Sequence, residues 1–127
     1  MKGVDTNILA RFFIGDVAEQ SEKITEVLEK GEQFYINASV LTELTWVLIS
    51  SYKFTKDELV QAYDNLLDSS AFIVFDHTIV VKALSKFIGG SADFNDCLIC
   101  EINNALSLST LTFDKKAAQL EGMELLG

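Results

Sequence analysis

Four short apolar runs in this chain each end in an acid or amide that opens a helix-patterned stretch, and this repetition constrains the fold more than any other feature. Met1–Val4 gives way to Asp5-Thr6-Asn7, with Ile8, Leu9, Phe12 and Phe13 following at helical spacing. Gln33–Ile36 is followed by Asn37, an N-cap type, and a helix from about Ala38 to Ser51. Ala71–Phe75 is followed by Asp76 and a helix carrying Ile79, Val80, Ala83, Leu84 and Phe87 up to Gly89-Gly90. Leu108–Phe113 is followed by Asp114-Lys115-Lys116 as the start of a short helix, and Met123–Leu126 reads as a last strand. Strands alternating with helices predict an α/β fold, with a central, mostly parallel sheet of about five short strands flanked by helices.

The remaining segments are helical. Ser21–Lys30 is an amphipathic surface helix ended at Gly31, and Thr55 with Glu58 forms a capping box for a helix from Lys56 to about Leu67. In the helix over 38–51, Val40, Leu44, Val47 and Leu48 form the main apolar side with Glu43 at its edge; Trp46 and Ile49 point elsewhere, toward either the core or an interface. Ser91 is an N-cap type opening a helix in which Asp93 and Asp96 share one side, roughly opposite Phe94, Leu98 and Ile102. At 127 residues, with 49% hydrophobic content, one domain over 1–127 is expected. No apolar run reaches the roughly 18 residues of a membrane span and no signal-peptide pattern opens the chain, so a cytoplasmic location is expected. Cys97 and Cys100 lie one helical turn apart, poorly placed for a disulfide, and read as small reduced packing residues.

The acids carry the chemistry. Residues just beyond the carboxyl ends of parallel strands face the ligand side of such sheets, which singles out Asp5, Asp76 and Asp114. Asp76 is explained as an N-cap. Asp5 and Asp114, with Asp93, Asp96 and Glu43, leave five acids set in apolar sequence. Carboxylates gathered in one pocket repel each other unless a cation compensates them, and a hard oxygen-binding ion such as Mg²⁺ suits that task. An Asp in a first helical turn also complements the helix dipole, so each acid alone is weak. The single histidine, His77, lies beside Asp76, and there is no phosphate-binding Gly-x-x-x-x-Gly-Lys loop, so zinc chemistry and nucleoside triphosphate binding are disfavoured.

Four stretches in order resemble the motifs of a PIN domain of the VapC toxin group: Val4-Asp5-Thr6-Asn7-Ile8-Leu9, Leu41-Thr42-Glu43-Leu44, Ala92-Asp93-Phe94-Asn95-Asp96-Cys97-Leu98-Ile99, and Thr110-Leu111-Thr112-Phe113-Asp114-Lys115. The resemblance implies a metal-dependent endoribonuclease that is frequently a homodimer and is inhibited by a VapB-type antitoxin protein. It carries catalytic roles onto Asp5, Glu43, Asp96 and Asp114, and Mg²⁺ or Mn²⁺ binding onto Asp5, Asp93, Asp96 and Asp114, with Asp93 and Asp96 alternatives for the closer ligand. Thr6 and Asn7 would orient Asp5, and Thr112 would support Asp114.

Other readings fare worse. A receiver domain needs an acidic pair after the first strand, where only Asp5 stands, and a haloacid-dehalogenase-type phosphatase needs an acid at position 7, which is Asn. A PIN-like fold that binds RNA or protein without turnover is the alternative of another class. Ten Lys and Arg against nineteen Asp and Glu, a formal net charge of −9, repel RNA at long range. Binding would then rest on metal and a few local cations, for which Arg11, Lys115 and Lys116 are candidates.

Overall fold

The first strand, β1 (Lys2–Gly3), is only two residues long because Asp5 takes the chain out of the sheet and into a helix. In the computed structural model, which describes residues 1–127, the chain forms two compact units, Met1–Phe75 and Asp76–Gly127. The first holds β1, α1 (Thr6–Ile14), α2 (Ala18–Glu29), β2 (Phe34–Ile36), α3 (Ala38–Ser50), α4 (Lys56–Asp68) and β3 (Phe72–Val74). The second holds α5 (His77–Gly89), α6 (Phe94–Ala105), β4 (Thr110–Thr112), one turn of 3₁₀ helix at Ala117–Gln119, and β5 (Met123–Leu125).

All five strands pair in parallel, as the alternation predicts. They form two sheets, β1-β2-β3 in the first unit and β4-β5 in the second, where one sheet of about five was expected. Each parallel pair is joined by a crossover within its own unit, so the local connection sets the partner. In the first unit Lys2 pairs with Phe34, and Phe34 with Phe72. In the second, Thr110 pairs with Met123 and Thr112 with Leu125.

Capping fixes the starts of most helices. Asp5, Asn37, Thr55 and Asp76 each accept a bond from the backbone amide three residues on, the N-cap pattern their types favour. Thr55 and Glu58 form the full reciprocal box. Helix α1 ends at Gly15, whose φ of 66° lies in the left-handed region that a residue without a Cβ enters at low cost. Helix α2 starts at Ala18, three residues before the expected Ser21, without a side-chain cap.

The inward face of α3 is Leu41, Leu44, Thr45 and Leu48, one position round from the side expected. Thr45 makes this possible: its hydroxyl donates to the Leu41 carbonyl at 2.8 Å and shares a 2.5 Å bond with the buried Tyr63 hydroxyl of α4, so a polar residue sits in the core without losing its bonds. Burial raises the Tyr63 pKa above the ordinary tyrosine value, against the opposing bond from Thr45. Leu9, Leu41, Leu44 and Leu48 are fully buried, each contributing about 1.5–3 kcal/mol of transfer free energy. Trp46, at 67% exposed, and Ile49 lie outside this core.

In the second unit α5 packs on α6, with Val80, Ala83, Leu84 and Phe87 buried on α5 and Phe94, Cys97, Leu98 and Cys100 buried on α6. Phe87 and Phe94 meet edge to face at 5.9 Å. Both cysteines are buried and free, in keeping with their reading as packing residues.

Candidate active site

The acids of the second unit are set by the start of α6 and the end of β4. Asp93, rather than Ser91, is the N-cap residue of α6, so only Asp96 stands within the helix's first turn. The two residues before it explain the shift: Ala92 is buried and anchors the approach, while the Ser91 hydroxyl donates to Gln119 Oε1 at 3.5 Å instead of capping. Asp93 differs from every other acidic cap in the chain because its carboxylate makes no capping bond. An acid placed at a helix start but not used by it is available to a ligand.

Asp114 ends β4 and is fixed by its own loop. Its amide donates to Thr112 Oγ1 at 3.0 Å, and its Oδ1 accepts from the amides of Lys116 at 2.8 Å and Ala117 at 3.2 Å. Both accepted bonds fall on Oδ1 and Oδ2 takes neither. Thr112 thus contacts Asp114 through its backbone amide.

Asp93, Asp96 and Asp114 form one electrostatic neighbourhood. Partial burial raises the Asp96 pKa above the ordinary aspartate value, and the charges of Asp93 and Asp114 raise it further. Uncompensated negative charge on oxygen donors suits a hard divalent cation, so the donor set fits Mg²⁺ or Mn²⁺ in kind. Within neither unit are three potential ligands gathered closely enough to hold an ion unaided.

In the first unit Asp5 is the N-cap of α1, its Oδ1 accepting from the Ile8 amide at 3.0 Å. Glu43 is an exposed residue of α3, and α1 packs against α3. Thr6 is buried and Asn7 exposed at the start of α1. Of the expected RNA-binding cations, Lys115 and Lys116 are exposed. Arg11 is engaged: Nη1 bonds to Asp16 at 3.0 Å and to the Tyr52 hydroxyl at 2.9 Å, while Nε donates to Gln20 Oε1 at 3.0 Å. The Tyr52 bond and the Asp16 charge raise its pKa, and a phosphate would have to share it with them.

A model of the PIN domain family matches residues 3–123, a span that includes all five acids. The chain belongs to the PIN domain family. The VapC ribonuclease of Aquifex aeolicus (strain VF5) is 28% identical over 102 residues, covering 77% of this chain and 75% of that protein. No helix of this PIN domain is long and apolar enough to cross a membrane.

One charged pair escaped the reading of this PIN domain's sequence. Glu101 is one of three buried polar or charged residues and makes an ion pair with Lys86 of α5. Burial lowers the Lys86 pKa, but the hydrogen bond and charge of Glu101 outweigh it and leave the value raised. The available signal was register: Glu101 lies three residues after Leu98 on the stripe α6 turns to α5.

Proposed function

We propose that this protein is a metal-dependent endoribonuclease that hydrolyses RNA phosphodiester bonds as the toxin of a VapBC-type pair, with residues 1–127 acting as one nuclease domain. The observation that carries the reading is the coupling of Asp96 to Asp93 and Asp114 in a chain of the PIN family. The similarity to a VapC ribonuclease supports the choice of RNA and of a VapB-type antitoxin protein as partner.

Asp5, Glu43, Asp96 and Asp114 are the catalytic set, and Asp5, Asp93, Asp96 and Asp114 hold Mg²⁺ or Mn²⁺. An ion held there would supply a water of lowered pKa and offset charge on the leaving oxygen. Asp93 brings a carboxylate that its helix does not use, and Asp114 one that its loop has already oriented. Ionised Asp96 and Glu43 are suited to orient the attacking water and to accept its proton. Thr6 and Asn7 set Asp5 at the start of α1, and Thr112 sets the backbone of Asp114. Trp46 and Ile49 belong to a homodimer or antitoxin surface, and the protein works in the cytoplasm.

The test is cleavage of a labelled RNA with Mn²⁺ present. Asn is as good an N-cap as Asp, so Asp5→Asn keeps the start of α1 while weakening the donor set. Loss of cutting by more than about a hundredfold is expected, on the scale of a lost acid–base group. Cutting at the parental rate would refute the assignment.

A further inference from the structure

The second unit has four lysines and no arginine against seven acids, and three of those lysines line one cleft. A cavity of about 420 Å³ includes Lys86, Ser91 and Lys116, and one of about 630 Å³ includes Lys82, Lys86 and Glu101. They share Ser85, Lys86 and Glu121, so together they make a single cleft lined by α5, by the segment over 119–122 and, at one end, by Glu101 and Asn104 of α6. Glu101 and Glu121 are its acids, which leaves an excess of one positive charge in a chain whose formal charge is −9.

From this placement we infer that the cleft is the track of the RNA backbone, with Lys82 and Lys116 pairing with phosphates at its two ends. The inference rests on the ribonuclease reading and adds a substrate path to it. Ser91, at one end, lies two residues before Asp93, and Lys116 lies two residues after Asp114, so a strand in the cleft leads to the acids. Lys86 has a different task. Its ammonium is held by the buried Glu101, and it cancels a carboxylate that would otherwise repel the strand. In a chain this acidic a locally positive channel is where phosphates find favourable potential, because field lines concentrate in clefts with low-dielectric walls. Arg11, held by Asp16, is a weaker candidate than Lys82 for that contact.

The experiment measures binding of a fluorescein-labelled single-stranded RNA by anisotropy, with Mn²⁺ present and in an Asp5→Asn background so that the RNA stays intact. Lys82→Ala and Lys116→Ala are compared with Lys30→Ala, an exposed lysine of the first unit. Each cleft variant should weaken binding severalfold and reduce the slope of log K against log salt by about 0.7, the value of one lost phosphate contact on a single strand. Lys30→Ala should change neither. Parental affinity and slope in both cleft variants would overturn the inference, and cleavage by the parent chain would then leave the ribonuclease reading standing. A parent that neither binds nor cuts RNA would overturn both. Lysine-dependent binding of a polyglutamate peptide without RNA binding would assign the cleft to an acidic protein segment and overturn it as well.

Discussion

Breaking the Lys86–Glu101 pair should cost stability asymmetrically, in an amount set by how each partner meets water. The Glu101 side chain is 7% exposed and the Lys86 side chain 28%. Lys86→Met leaves a nearly buried carboxylate whose access to water is through the cleft it lines. Losing one partner of a buried pair costs about 3–5 kcal/mol, and the cleft above this one lowers the figure to about 2–3 kcal/mol. Glu101→Gln leaves an ammonium on a flexible stem that can extend into the cleft, so its cost should be about 1 kcal/mol. Replacing both, as Lys86→Met with Glu101→Leu, removes the two desolvation penalties together and should fall within about 1 kcal/mol of the parent. Urea unfolding at neutral pH gives the four free energies and the coupling between the sites. Because the folded-state pKa of Lys86 is raised, its contribution is fully present below the lysine's unfolded value and is lost as pH rises through the folded value. The costs should therefore be flat across neutral pH and shrink only in strong alkali. Equal costs for the two single variants, or a double variant as unstable as Lys86→Met, would mean that burial of Glu101 does not set the asymmetry.

For Asp96 the sign is the opposite of the usual aspartate case. Its pKa is raised, so without metal the folded state loses stability as pH rises above the ordinary aspartate range. Asp96→Asn should melt at or above the parent temperature at pH 7 without metal and show a smaller stabilisation by millimolar Mn²⁺, read by thermal melting. Asp76→Ala should cost about 1 kcal/mol in chemical denaturation through its lost cap, while Asp93→Ala, which loses no capping bond, should cost under about 0.5 kcal/mol. Gly122→Ala should destabilise by about 1–3 kcal/mol in the same assay, since φ there is +95° and a Cβ would lie 2.1 Å from Asn104 Oδ1. Trp46→Ala, at a side chain 67% exposed, should leave the melting temperature nearly unchanged and shift sedimentation toward the monomer; a collapse in melting with association intact would return Trp46 to the core.

Local chemistry made much of this protein legible from its sequence. Asp5, Asn37, Thr55 and Asp76 start helices where they do because their side chains satisfy backbone amides that the helix cannot, an interaction confined to about one turn. The parallel class of the sheets followed from strands alternating with helices, and the family from four motifs in order. Features that depend on residues far apart in the chain were fixed only by packing. Which face of α3 is buried turned on Thr45 finding the Tyr63 hydroxyl in α4, a bond across eighteen residues that apolar periodicity does not register. Whether Ser91 or Asp93 would stand at the N-cap position of α6 turned on Ala92 being buried between them and Ser91 reaching Gln119. The Glu101 carboxylate, set in an apolar stripe, became intelligible only when α5 brought Lys86 to it. A charge in a core is tolerated only with its partner in place, and only the packing of α5 on α6 supplies one.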